Sequence, residues 1–184
     1  MALWLTMLGY FRPKTHPTEL RPTEAPGDPE AYALVFAEAE RMVVAQEANL
    51  DELRGRSGIV LTVSAAVMAF VANGILGSQK PVDVFVWVAV AAFAACFCAS
   101  VAVLLPGGRW GFEMNAKTLL TGYVEGDNPA TMAEIHRSLA WYLADAAEVN
   151  RNNLVRLYRV FAFAGVLLVV EVGALVVALW RSQP

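Results

Sequence analysis

Two long stretches of this chain are apolar and carry no charge. Gly58–Leu76 reads GIVLTVSAAVMAFVANGIL, and Val84–Leu105 reads VFVWVAVAAFAACFCASVAVLL. Crossing the ~30 Å hydrocarbon core takes about 20 residues at ~1.5 Å rise each, and both stretches are that long. A spanning segment must satisfy its own backbone hydrogen bonds, so both are predicted to be helices. The polar turn GSQKPVD lies between them, with Gly77 and Pro81 as breakers. Residues 58–106 therefore read as a two-helix transmembrane hairpin. A third apolar segment, Phe161–Trp180, is also long enough to span and carries one acid, Glu171, near its middle.

Between and before these segments the pattern changes period. In residues 30–57, Tyr32, Val35, Phe36, Ala39, Met42, Val43, Leu50 and Leu53 recur mostly three or four apart, with acids filling much of the rest. That spacing predicts an amphipathic helix whose stripe needs a partner. Asp28-Pro29-Glu30 has the chemistry of a helix start. No proline separates this helix from the first span, so one continuous helix over about 30–76 is expected, with Gly55 and Gly58 able to bend the join. Ile135, Leu139, Tyr142, Leu143, Ala146, Val149, Leu154, Leu157 and Tyr158 form a second stripe, capped by Asn128 or Thr131 and feeding the third span. The two stripes are each other's natural partners, with self-association as the alternative. Pro106-Gly107-Gly108 stops the second span, and Arg109–Tyr123 reads as a short helix or surface loop. The fold class expected is an all-α integral membrane protein with three transmembrane helices and long amphipathic cytoplasmic helices extending from spans one and three. Its regions are an apolar leader and Pro-rich linker (1–29), a cytoplasmic helix (30–57), the hairpin (58–106), a cytoplasmic helical segment (107–160), and a third span with a short outer tail (161–184).

Composition supports this division. The 184 residues are 57% hydrophobic and 17% charged, more apolar than a typical soluble domain. All of the 14 Lys and Arg except Lys80 and Arg181 fall before span one or between spans two and three. The positive-inside rule then puts the N-terminus in the cytoplasm and the C-terminus outside. A net charge of −3 argues mildly against nucleic-acid binding. Met1–Phe11 is apolar but lacks the basic start and cleavage site of a signal peptide. It reads either as a short interfacial helix presenting Trp4, Tyr10 and Phe11 or as a poorly ordered leader.

Candidate chemistry is sparse. The two histidines, His16 and His136, are isolated, and no zinc-binding, P-loop or dinucleotide motif occurs. The expectation is no catalytic residues, no metal and no enzyme activity. Cys96 and Cys98 lie two apart on a helix and cannot bridge each other; they read as small apolar residues. Glu171 is the most unusual residue, because an acid in mid-span usually faces a bundle interior or polar cavity. It could line a pore, meet a basic group across an oligomer, or donate one interhelical hydrogen bond. Ser64, Asn73 and Ser100 could join it, while Gly74, Gly165 and Gly173 would permit close helix approach. A second constellation lies at the inner ends of the spans: Arg54, Arg56, Arg109, Lys117, Asn150, Arg151, Asn153 and Arg156. Arg forks and Asn amides suit a phosphate and a base edge, but basic residues there also satisfy the topology rule and contact anionic lipid.

The order of these stretches carries a resemblance. LDELRGRSGIVLTVSAAVMAF leads into a first span, a second span and short helical segment follow, and AEVNRNNLVRLYRVFAF feeds a final span. Over about residues 30–180 this resembles the small transmembrane effectors of bacterial nucleotide-signal defence operons, the Pycsar transmembrane effectors and the related SLATT-type proteins. The resemblance implies a homo-oligomer in the inner membrane and a partner uridylate or cytidylate cyclase. The product of that cyclase, cyclic UMP or cyclic CMP, would bind on the cytoplasmic side. The spans would then impair the membrane and abort infection. The alternative from another class is a non-toxic membrane scaffold or assembly protein without a ligand. No other cofactor is implied.

Overall fold

Helices account for almost everything the computed structural model describes, namely residues 27–76, 83–105, 110–111, 116–125 and 129–182. Of these, the side chains of 72–76, 116, 118 and 182 are not described. Helix α1 runs Pro29–Leu76, α2 Val84–Leu104, α3 Ala116–Leu119 and α4 Met132–Ser182. No strand occurs among the described residues. Three of these helices, α1, α2 and α4, are long and apolar enough to cross a membrane. The leader with Trp4, Tyr10 and Phe11, the turn around Lys80, the stop at Pro106-Gly107-Gly108, Arg109 and Asn128 lie outside the described residues.

The local reasons for these bounds are readable. Asp28 Oδ1 accepts a hydrogen bond from the Glu30 amide at 3.0 Å, and Asp83 Oδ1 accepts one from the Phe85 amide at 3.2 Å. Both satisfy first-turn donors that have no partner within the helix. Helix α4 opens on a reciprocal cap: the Glu134 amide donates to Thr131 Oγ1, and the Thr131 amide donates to Glu134 Oε2 at 2.7 Å. Those two Thr131 donors, the amide first and then the hydroxyl, hold the Glu134 carboxyl below its ordinary value of 4.5. Gly55 and Gly58 leave α1 unbroken. After α3 the chain makes a π turn, Leu120–Val124, closed by the Glu125 amide on the Leu120 carbonyl at 2.8 Å. The periodicity did not predict this turn, because a π turn carries no distinct spacing of apolar residues.

The chain divides into two compact units. One takes residues 1–48 and 108–153, the other 49–107 and 154–184. In the first, α1 and α4 run parallel. Ala39 and Val43 pack on Leu143 and Ala147, with Phe36 and Tyr142 against them. The Phe36 ring stacks on His136 with centroids 5.5 Å apart, and Gln46 Nε2 donates to the Ala147 carbonyl at 2.9 Å. Part of each stripe meets the other here, while Val35, Met42 and Val149, expected in the stripes, are exposed. In the second unit, residues from 49 onward in α1, all of α2 and the end of α4 form a three-helix bundle.

Candidate functional site

The three-helix unit is apolar on its surface. Ile59, Phe70, Trp87, Phe97, Phe163, Val169 and Trp180 are all exposed. Its interior holds the polar groups: Ser57, Ser64, Ser100 and Glu171 are essentially inaccessible. The spacing explains why. Ser57, Ser64 and Val71 lie seven apart on α1, and Ala89, Ala92, Cys96, Ser100 and Val103 recur at three and four on α2. Ala164, Glu171, Leu175 and Ala178 lie seven, four and three apart on α4. Each set forms one face, and the three faces meet.

Glu171 stands where they meet. Its Oε2 accepts a hydrogen bond from Ser64 Oγ at 2.5 Å, while its Oε1 has no hydrogen-bond partner. The Ser57 and Ser100 hydroxyls are likewise buried without partners. Cys96 Sγ donates to the Ala164 carbonyl at 3.4 Å, and its thiol faces the Ser64 and Ser100 hydroxyls. Burying a polar group without a partner costs roughly 1–3 kcal/mol by protein mutational data. A cluster of them in one bundle is therefore a costly feature.

The polar set is confined to one end of the bundle. Val71 of α1, Ala89 of α2, and Ala174 and Leu175 of α4 form an apolar layer, with Val67 packed against it. Val71 follows Ser64 by two helical turns, and Ala89 precedes Cys96 by two. Because α2 runs opposite to α1 and α4, both offsets point the same way. The order along the bundle is Ser57, then Ser100, then Cys96 with Ser64 and Glu171, then the Val71–Ala89–Leu175 layer. Beyond that layer, the Arg181 guanidinium lies 4.7 Å from the centre of the Phe85 ring.

Of the residues expected to join Glu171, Ser64 does so directly. Ser100 faces Cys96 beside them, and the side chain of Asn73 is not described. Gly74 lies among the residues whose side chains are not described, and the other two glycines behave otherwise than expected. A Cβ built at Gly165 or Gly173 would meet nothing within 4 Å, so neither mediates a close helix approach. Alanines do that work instead: Ala89 and Ala164 are almost fully buried. Cys96, expected as a small apolar residue, belongs to this polar set, and Ser57 and the alanines carry no chemical motif that marks them in the sequence. The available signal was the seven-residue repeat Ser57–Ser64–Val71.

The basic and amide candidates divide between the units. Arg54, Arg56 and Arg156 belong to the three-helix unit, while Lys117, Asn150, Arg151 and Asn153 belong to the other. Arg54 pairs with Asp51 at 3.6 Å and Arg56 with Glu52 at 2.5 Å, both along α1. Lys117, Arg151 and Arg156 are exposed, and Asn153 is half-buried. Asn150 is fully buried and engaged. Its Oδ1 accepts from the Gly111 amide at 3.1 Å, and its Nδ2 donates to the Gly111 carbonyl at 3.5 Å. A Cβ at Gly111 would come within 2.7 Å of the Ala146 Cβ, so only glycine fits at that contact. Asn150 therefore ties a backbone segment to α4 and does not present its amide outward. No group of three or more His, Cys, Asp or Glu that could hold a metal gathers among the described residues. Comparison with protein families, with characterised proteins and with solved structures finds no match to this chain.

Proposed function

We propose that this chain is the membrane effector of a bacterial antiphage system. It senses cyclic UMP or cyclic CMP, made by a partner cyclase, on its cytoplasmic side and then impairs the inner membrane. On this reading residues 30–57 and 107–160 are the amphipathic cytoplasmic part. The N-terminus lies inside and the C-terminus outside, and the active form is a homo-oligomer. The observation that carries it is the interior of the three-helix unit. A passive anchor has no use for a buried acid with one unpartnered oxygen and two unpartnered serines beside it, whereas a bundle that must admit water or ions does. Helices α1 and α4, of 48 and 51 residues, are more than twice the ~20 residues a span requires. That leaves long segments free to form a sensor. Arg54, Arg56, Arg109, Lys117, Arg151, Asn153 and Arg156 are the candidate phosphate and base contacts. Asn150 joins them only by releasing Gly111.

The pairing of Arg54 and Arg56 with acids on their own helix, and of Asn150 with Gly111, favours the second reading, a scaffold without a ligand. Dye release decides between them. The full-length protein is reconstituted in liposomes loaded with a self-quenched dye and exposed to cyclic UMP, cyclic CMP and cyclic AMP. Release with one pyrimidine nucleotide alone is the result expected. No release with any of the three, from protein shown to be inserted, assigns the chain to the scaffold class.

A further inference from the structure

Within the three-helix unit, polar and apolar layers are arranged asymmetrically about one acid. On one side of Glu171 lie the hydroxyls of Ser64, Ser100 and Ser57 and the thiol of Cys96, reaching to the start of the first span. On the other side lies the layer of Val71, Ala89, Ala174 and Leu175. Ser64 and Ser57 are about 10 Å apart along α1 at 1.5 Å per residue, and Ser100 and Cys96 about 6 Å apart along α2. At ~2.8 Å per hydrogen bond, roughly three waters span the first gap and one spans the second. The orphaned oxygens, Glu171 Oε1, Ser100 Oγ and Ser57 Oγ, are the groups such waters would satisfy.

The charge of the acid is also constrained. Residues 57–71 of α1 and 84–104 of α2 contain no Lys, Arg, His or second acid, and Glu171 is the one charged residue of 161–180. The groups facing it are Ser64 from α1 and Cys96 from α2, with Ser100 one turn beyond Cys96. An ionised carboxylate there has one hydroxyl donor and no cation, which the hydrocarbon interior does not support. The neutral acid has a proton to give.

We propose that Glu171 is a proton-exchange site, reached by water from the Ser57 end of the bundle and closed at the other end by the Val71–Ala89–Leu175 layer. Parting that layer turns the site into a proton path. The acid releases its proton to water on the Ala89 side. The carboxylate takes a proton from water on the Ser57 side, with Ser64 Oγ holding Oε2 throughout. One proton enters and one leaves, and the carboxyl is restored. The inference rests on the membrane placement of the three helices and needs no nucleotide, so it can stand or fall apart from the dye-release experiment.

Two measurements on the full-length protein test it. Infrared spectroscopy in vesicles of phosphatidylethanolamine and phosphatidylglycerol should show a protonated-carboxyl band that Glu171→Gln removes and that shifts on transfer to D2O. Proton influx is then read with pyranine inside the same vesicles, under a potassium diffusion potential set with valinomycin. Leu175→Ala, which thins the apolar layer, should raise influx severalfold without releasing a larger dye. Adding Glu171→Gln to Leu175→Ala should return influx to the unmodified level. If that double variant fails to insert, Glu171→Asp in the Leu175→Ala background should slow influx, because its shorter carboxyl sits farther from Ser64. Absence of an exchanging carboxyl band overturns the proposal. So does influx through Leu175→Ala that matches the unmodified protein, or that persists unchanged when Glu171 is altered.

Discussion

The two units of this chain are built inside out with respect to each other. In the unit of residues 29–48 and 110–153, the buried layer is Ala39, Val43, Leu143 and Ala147, and the acids Glu38, Glu40, Glu47 and Glu148 are exposed. In the three-helix unit the fully buried side chains include Ser57, Ser64, Ser100 and Glu171, while Phe70, Trp87, Phe163 and Val169 cover the surface. The physics is the same in both. On the proposed membrane placement the difference lies in the solvent. Water would drive the first unit's apolar stripe inward, whereas a hydrocarbon surround exerts no such drive between apolar helices, so packing of small residues and interhelical hydrogen bonds would hold the second together. The same substitution should therefore have different consequences on the two sides of Asn49.

The largest effect is expected where water does the work. Leu143→Ala empties a buried site between α1 and α4, and large-to-small core changes of this kind cost about 2–5 kcal/mol. Amide hydrogen exchange should speed over 29–48 and 132–153. The amides of 57–71 should stay slow if the bundle stands on its own packing. Gly111→Ala comes next. The added methyl meets the Ala146 Cβ and displaces the segment that Asn150 holds, and overpacking typically costs about 1–3 kcal/mol. Thermal unfolding in detergent should show the loss, and Asn150→Ala, which removes the same tether without a clash, should show a smaller one.

Ser64→Ala probes the other side of the comparison. It removes the one side-chain hydrogen bond that Glu171 receives among the described residues. Interhelical hydrogen bonds in membranes nonetheless average only about 0.6 kcal/mol and reach about 1.7. Unfolding in mixed micelles should move less for Ser64→Ala than for Leu143→Ala. A larger shift for the serine would mean that hydrogen bonding outweighs packing in this bundle.

The smallest effect concerns pH at the start of α4. The Glu134 carboxyl is held below 4.5 by the Thr131 amide and hydroxyl. A carboxylate whose folded value is depressed contributes stability that is present above its unfolded value and lost as pH falls through the folded one. The first turn of α4 should accordingly fray below about pH 4.5, seen as faster exchange of the Thr131 and Glu134 amides. Thr131→Ala should fray it at neutral pH as well.

Much of the fold was legible in the chain, and much of the site was not. Length and apolar composition mark out three helices, two of them without any charge and the third with Glu171 alone, because a spanning segment must be both long and largely uncharged whatever it packs against. The three-and-four spacing from Tyr32 to Leu53 and from Ile135 to Leu157 signals two stripes that need partners, because burial along a helix repeats every 3.6 residues. An acid in mid-span stands out as Glu171 does because its solvation is wrong for its surroundings. These are properties of one helix at a time.

What touches what is a property of three helices together, and only the tertiary structure decides it. The spacing of Gly165 and Gly173 suits close approach, yet their faces point away from neighbours and Ala89 and Ala164 make the contacts. Asn150 looks like a ligand for a base edge, but a passing backbone at Gly111 claims its amide. Cys96 looks like filler, but the antiparallel course of α2 carries it to the Ser64–Glu171 pair and sets Ala89 on the opposite side of the acid. A sequence states which face of a helix is polar. It does not state the register at which that face meets the next helix, and in this protein the register separates a column of polar side chains from an apolar layer.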